Sequence, residues 1–481
     1  MPSAASRVSV LFCVSLAAFA FAGTLDAFFT QDDFWLLAAT DKPLPNQRML
    51  SGALAPDYVR PLSTYWFPLA CRSLFGLNAS LHHLALLALL LATVYALHDC
   101  VRKRTGSLLA AAAAACLYAT SEVHVYTLGW IAGIGDVLAA ALLVFALRAL
   151  ETPPSRRRTA TVALLVLGAL LSKEHSMALP AALLAAGAAR YGARLLRRRT
   201  DQLPGQPVRA PDHVLGISLA AVAAGFLSLW IYLTAESQLE RGLQFNLSRT
   251  VEVLKNSILT LHPTLDVHDD YVTRLSSWWL AAPAALAGLH FRFGGVHRIE
   301  KTAFAFSLWL VPAGIFALTS FPSDLQAYYS HFSTIGLTLL VADCVALGAS
   351  ASLRPLRIAT KLTLVAAIVA HGVYSAKARQ TDVCESRSPA LYVAKLSAAA
   401  DLQIRAALAD GRERPNRILF LDTENVMWWA LGKGAMVQTL YGGIEADFDG
   451  YGGFQAAPNA RSTGETLVMR QTNATTFVVV R

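Results

Sequence analysis

The chain has 481 residues, of which 55% are hydrophobic and only 15% charged, and its mean hydropathy is +0.44. A soluble domain carries about 25% charged residues, so the composition excludes an ordinary soluble enzyme. The net charge of +9 does not form one basic patch. It falls in short clusters between apolar runs, the pattern of cytoplasmic loops in a polytopic membrane protein rather than of a nucleic-acid binder. Six cysteines with no CxxC pair exclude a disulfide framework and a zinc site of the usual spacing.

Each spanning helix needs roughly 20 apolar residues. Eleven runs meet or approach this, near 8–25, 80–99, 107–122, 131–150, 159–172, 176–190, 214–234, 276–290, 302–320, 332–350 and 358–375. Alternate loops hold Arg102-Lys103-Arg104, Arg156-Arg157-Arg158, Arg194 with Arg197-Arg198-Arg199, Arg292 with Arg298 and Lys301, and Arg354 with Arg357. The intervening loops are poor in Lys and Arg, so the charge bias puts the amino terminus inside and the carboxy terminus outside. The first run, with Arg7 before it and small residues around Ala20–Gly23, also fits a cleavable signal peptide. In 159–190, Ser172-Lys173-Glu174-His175 interrupts the apolar stretch. Two short helices joined by an outer hairpin, or one broken helix, both fit.

Just past the first run stands Phe28-Phe29-Thr30-Gln31-Asp32-Asp33-Phe34-Trp35-Leu36-Leu37. Adjacent carboxylates at the mouth of a membrane helix are costly to desolvate and mark a functional site by default. Thr30-x-x-Asp33 also reads as the start of a short capped helix, which explains Asp33 but not Asp32. Sugar transfer from a lipid phosphate needs a base for the acceptor hydroxyl and fixed positive charge for the departing phosphate. Asp32 and Asp33 are the candidate catalytic residues; Arg60 and Lys173 are the candidate phosphate-binding cations. Glu122, His124 and Glu174 are further outer-loop candidates. Each has a plainer role available. Arg60 can snorkel, Lys173 and Glu174 can be an exposed pair, and His82, His83 and His124 can simply pack. The histidines lack the spacing of a metal set; a divalent cation is compatible with the chemistry but not indicated.

After residue 375 the pattern changes. Leu391, Leu396, Ile404 and Leu408 have near-helical spacing across 388–410, and 417–422 reads as a buried strand. A short helix is expected over Met427–Leu431, and the segments 467–470 and 477–480 read as a terminal hairpin. The expected division is a transmembrane domain over 1–375 and a small outer α/β domain over 376–481. His268-Asp269-Asp270 is a candidate acceptor or cation contact or a solvated loop, and the aromatic, Gly-rich stretch from Tyr441 to Gly453 reads as a sugar-binding surface or a plain Gly-rich loop.

The order of these motifs resembles a known group. It runs from the aspartate pair with Phe-Trp-Leu-Leu through Arg60-Pro61-Leu62 and Leu74-Phe75-Gly76-Leu77-Asn78 with His83. Leu117-Tyr118-Ala119, His124, Trp130-Ile131-Ala132-Gly133 with Asp136, and Leu170-Leu171-Ser172-Lys173-Glu174 follow. Over residues 1–190 this resembles the GT-C integral-membrane glycosyltransferases, nearest to the O-mannosyltransferase type, with an echo at Tyr328-Tyr329-Ser330-His331-Phe332. The resemblance implies a polyprenyl-phosphate sugar donor, an acceptor on the outer face, inversion at the sugar, and Asp32-Asp33 at the catalytic position. The chain departs from the group at Glu122 and Tyr126, which stand where it has proline and glutamate. Leu86 and Leu90 replace an asparagine and a second histidine, and no tetratricopeptide repeats follow.

A lipid-linked-sugar transporter or flippase would favour charges buried in mid-span, whereas here the acids sit at helix ends. A non-catalytic member binding lipid or a partner protein is the third class. Ala, Arg and Leu usage points to a bacterium, and so to an inner membrane with a periplasmic active face.

Overall fold

The computed structural model describes residues 3–40, 60–200, 247–261, 285, 288, 296–316, 327–349, 354–409, 415–421, 423–442, 444–448, 466–473 and 475–480. It is mostly helical. Among these residues five helical segments are long and apolar enough to cross a membrane: Ala4–Asp26, Ala79–Thr105, Ile131–Leu150, His331–Ala349 and the long run Ile358–Leu408. Leu108–Ala119 with Val123–Gly129 makes a sixth if the pair is one broken span. The chain is therefore an integral membrane protein. Of the expected runs, 214–234 lies outside the described residues, as does 276–290 except at 285 and 288, so the total of eleven remains an expectation.

The chain divides into two compact units. The first comprises Met1–Phe21, Ala88–His124 and Asp136–Gln380; the second comprises Ala22–Leu87, Val125–Gly135 and Thr381–Arg481.

Helices of the first unit are tied at their basic ends by ion pairs that link distant parts of the sequence. Arg104 presents its planar fork to Asp343, with Nε–Oδ1 at 3.3 Å and Nη2–Oδ2 at 3.0 Å. Its Nη2 also donates to the Lys301 carbonyl, and the Lys301 ammonium donates back to the Arg104 carbonyl. Asp99 accepts from Arg102, Lys103 and Arg148. Charge at these ends is thus neutralised locally, which buried ions require. Nearer the middle, Gly336 lets the helices Val296–Phe316 and His331–Ala349 meet backbone to backbone. A Cβ there would lie 2.2 Å from the Trp309 nitrogen. Small residues at such crossings are the main packing device where lipid supplies no hydrophobic drive between helices.

In the second unit, strands β1 (Arg417–Leu421), β2 (Glu445–Phe448), β3 (Thr466–Asn473) and β4 (Thr476–Val480) form one sheet in the order β2-β1-β3-β4. β1 pairs parallel with β2 and β3, and β3 pairs antiparallel with β4. Ile418 and Phe420 of β1 are fully buried; Phe420 stacks on Phe448 at 4.9 Å and meets Phe477 edge-on. The helix Pro389–Leu408 docks through Gln403, whose amide bonds to both sides of the β4 turn at Thr475 and Phe477. Strand β2 is an element the hydropathy pattern does not reveal, because Glu445 and Asp447 interrupt it. Arg417 on the neighbouring strand pairs with Asp447.

Candidate functional site

The candidate residues fall in both units. Asp32, Asp33 and Arg60 belong to the second, and Glu122, His124, Lys173 and Glu174 to the first.

In the second unit the acidic pair opens the helix Asp32–Thr40. Carboxylates in a first helical turn face unpaired N–H groups and the positive end of the helix dipole. Gln31 takes φ +47, which turns the chain sharply into the helix, and its N–H donates to the Ala430 carbonyl at 3.3 Å. Gly432 permits this approach: its φ is +57, and a Cβ there would lie 2.9 Å from the Gln31 carbonyl oxygen. Thr30 is fixed from another side by Ser397, whose hydroxyl bonds both the Thr30 hydroxyl and the Ala430 carbonyl. The loop carrying the acids is thereby clamped by the C-terminal segments.

The two aspartates have different surroundings. Asp33 is fully buried. Its Oδ2 accepts the Thr30 N–H at 2.9 Å, the acid half of the expected capping box, and its Oδ1 accepts the Ala132 N–H at 2.7 Å. Asp33 thus ties the segment after the first helix to Ile131-Ala132-Gly133, a second motif 99 residues away in sequence. Burial pushes its carboxyl up to about 8, against the pull of the Thr30 and Ala132 N–H donors. Asp32 is partly exposed. Burial raises its carboxyl too, but the Lys433 ammonium draws it back down. Lys433 had no signal in the sequence beyond its glycine neighbours; its φ of +55 belongs to the same turn that admits Gln31.

Around the pair, Phe29 packs on Phe34 and edge-on against His82. His82 bonds the Gly76 carbonyl at 3.0 Å and His83 the Leu128 carbonyl at 2.7 Å. A carbonyl can only accept, so both rings donate, which is the packing role weighed for them above. The Arg60 carbonyl accepts from the Thr64 N–H and hydroxyl, starting the π-helical turn Leu62–Trp66; the arginine is half-buried.

In the first unit, the interruption near residue 172 is a break between the helices Arg156–Leu170 and Ala178–Thr200, with a single 3-10 turn over Glu174–Met177. At the break the Ser172 N–H turns to the Ala169 carbonyl, which also accepts the Lys173 N–H and the Ser176 hydroxyl, while the Ser172 hydroxyl donates to the Gly168 carbonyl. Lys173 itself is extended (φ −158, ψ 129), and its ammonium reaches Asp136 at 3.0 Å, both side chains being buried. The exposed-pair alternative for Lys173 and Glu174 is therefore replaced. Lys173 pairs with an acid in the first turn of the next-door helix Ile134–Leu150, and Glu174 is buried beside His175. Glu122 lies 3.6 Å from Arg379, a cation that sequence reasoning passed over because it lies far down the chain. His124 is fully buried. Its Nε2 donates to the Tyr118 carbonyl at 2.8 Å, and its ring packs on Tyr118, Phe21 and His331. Tyr118 in turn hydrogen-bonds His331 at 2.7 Å.

Among the described residues no group of three or more His, Cys, Asp or Glu could hold a metal ion. His268-Asp269-Asp270 and residues 449–453 lie outside the described residues.

No protein-family model matches the chain, and no curated protein matches it in sequence. Solved structures do match. ArnT from Cupriavidus metallidurans in the apo state aligns at 14% identity and a TM-score of 0.50, covering 89% of this chain and 84% of its own. The same protein bound to undecaprenyl phosphate aligns at 13% identity and a TM-score of 0.50, covering 89% and 85%. The Archaeoglobus fulgidus oligosaccharyltransferase, in complex with Zn and sulfate, aligns at 10% identity and a TM-score of 0.49, covering 92% and 62%. The likeness to ArnT shows the fold: this chain shares the GT-C architecture of that protein.

Proposed function

We propose that the chain is a glycosyltransferase that moves a sugar from a polyprenyl-phosphate donor to an acceptor on the outer face of the membrane, with inversion. The observation that carries this reading is the split environment of the acidic pair. Asp33 is buried and committed to two backbone N–H groups, while Asp32 is partly exposed beside Lys433. Two neighbouring carboxyls whose surroundings differ in this way can take separate acid–base roles. Asp32 is the base and Asp33 the clamp that holds it.

Asp32 takes the proton of the acceptor hydroxyl. The oxygen attacks the anomeric carbon on the face opposite the phosphate, the bond from that carbon to the phosphate oxygen breaks, and polyprenyl phosphate leaves. Arg60, in the same unit as Asp32, supplies positive charge for the departing phosphate; Lys173, the other candidate cation, is paired with Asp136 in its own unit. Glu122, His124 and Glu174 stay candidates within the first unit, beside Arg379, Tyr118 and His175. The fold of an undecaprenyl-phosphate-bound protein supports the lipid-linked donor. The order of motifs over residues 1–190 supports a hexosyl, mannosyl-type donor. The alternation of basic loops supports a cytoplasmic amino terminus and an outer C-terminal domain, and the Ala, Arg and Leu usage supports a bacterial inner membrane with that domain in the periplasm.

The test is turnover. A general base is worth about 100- to 10,000-fold, so Asp32→Asn should lose transfer by that order while still binding donor lipid. Near-normal transfer by the Asp32→Asn, Asp33→Asn double variant would remove this mechanism and favour the transporter or lipid-binding alternatives.

A further inference from the structure

A cleft in the first unit takes no part in the transfer chemistry. Its volume is about 920 Å3, at the upper end of the roughly 300–1,000 Å3 that small-molecule sites occupy. Its walls are apolar, with Val8, Phe12, Leu109, Ala346, Val365 and Val369 among them. Val8 is 67% exposed, Val365 47% and Val369 43%, so the cleft opens away from the helix core.

Every segment lining it does so at the same kind of end. Val8 and Phe12 lie in the first three turns of the first helix, and Thr105–Ser107 follow the basic run Arg102-Lys103-Arg104. Ala346 is near the close of His331–Ala349, and Lys361 is in the second turn of Arg354–Cys384. By the charge rule all of these are cytoplasmic ends.

Most of the polar side chains in the cleft are already satisfied. The Ser9 hydroxyl bonds His98 Nε2 at 3.0 Å, the Thr105 hydroxyl donates to the Val101 carbonyl at 2.8 Å, and the Ser107 oxygen accepts the Ala110 N–H at 3.2 Å. Lys361 has no hydrogen bond or ion pair among the described residues. One ammonium therefore borders a long apolar surface, about a turn inside the membrane end of its helix. An ammonium at that depth snorkels to the level of the lipid phosphates, and the cytoplasmic leaflet is the one rich in anionic lipid.

We infer that this cleft is a binding site for an anionic phospholipid of the cytoplasmic leaflet, its acyl chains against Phe12, Leu109 and Val365 and its phosphate on Lys361. The occupant is a structural or regulatory lipid, separate from the sugar donor.

The full-length protein in detergent, given equimolar dioleoyl phosphatidylglycerol and dioleoyl phosphatidylcholine, should retain the glycerol lipid several-fold over the choline lipid in native mass spectrometry. Lys361→Gln should bring the ratio close to one, and Lys361→Arg should preserve it. Ala346→Trp, which fills the cleft without touching the cation, should cut retention of both lipids, and it decides the matter if the Lys361 variants fold poorly. Equal retention of the two lipids by the wild type, or an unchanged ratio in Lys361→Gln, would overturn the site. Displacement of phosphatidylglycerol by equimolar undecaprenyl phosphate, abolished in Ala346→Trp, would reassign the cleft to the donor lipid and overturn it as well. Because these readouts need no transfer activity, they stand apart from the test of the Asp32 mechanism.

Discussion

At the scale of single residues, two adjacent aspartates stand in different surroundings, which is the ground for the separate roles proposed for them. Both oxygens of Asp33 accept backbone N–H groups. Asparagine offers one accepting oxygen and turns an NH2 toward the other donor, so Asn at 33 replaces one bond and loses the other. A lost buried partner costs about 1–3 kcal/mol; Asp33→Asn should therefore lower the thermal midpoint, while Asp32→Asn should lower turnover and leave the midpoint close to wild type. Melting curves and initial rates on the same two preparations separate the roles. pH gives a second handle. Burial moves the Asp33 carboxyl from its ordinary 3.8 to about 8, so the folded chain holds this proton more tightly than the unfolded chain does. The stability this contributes is fully present below about pH 4 and is lost as the pH rises to about 8. Across that window the wild-type midpoint should fall relative to that of Asp33→Asn. Asp32 is also raised by burial, so its proposed role as base predicts an acid limb of kcat/KM above the usual aspartate range, because a base must be ionised to act.

At the scale of elements, the helices Val296–Phe316 and His331–Ala349 are set by the absence of a side chain. A Cβ on Gly336 would meet the backbone of Leu308 and Trp309 at 2.5 Å or less, and backbone cannot swing aside as a flexible side chain can. Forcing extra volume into such a crossing costs about 1–3 kcal/mol. Gly336→Ala should depress the thermal midpoint clearly, whereas Gly348→Ala, with open space around the added methyl, should be neutral or slightly stabilising. Equal effects at both positions would show that the crossing is not what Gly336 serves. The break at Ser172–Glu174 is a second such element. The Ser172 and Ser176 hydroxyls bond the Gly168 and Ala169 carbonyls there, and the extended backbone at Lys173 sends the ammonium to Asp136 rather than along the helix.

At the scale of the whole molecule, the alternation of basic loops predicts which ends face the cytoplasm. Cys384 is exposed and would react itself, so the background is Cys384→Ser. In that background Thr475→Cys, in the exposed turn between β3 and β4, should react with an impermeant thiol reagent added to cells whose outer barrier is opened. Arg157→Cys, exposed in the first turn of the helix Arg156–Leu170, should react only after the inner membrane is breached. Labelling in the reverse order would put Asp32 on the cytoplasmic side and exclude an outer-face acceptor.

The sequence alone did not show the helices Phe67–Phe75 and Leu247–Leu259, but it determined the membrane class, the apolar helices Ala79–Thr105, Ile131–Leu150 and His331–Ala349, the strand at 417–421 and the terminal hairpin. These follow from apolar periodicity and turn residues, which are local. It also singled out Asp32, Asp33 and Lys173, because ionisable groups are rare in such a chain and stand out wherever they occur. What only the tertiary structure decided is which partner each of them meets. Asp33 is fixed by Ala132, Asp32 is biased by Lys433, Lys173 is paired with Asp136, and Glu122 lies beside Arg379. These partners lie tens to hundreds of residues away. Hydrogen bonds and ion pairs act over a few ångströms of space, and the sequence specifies that distance only through the fold.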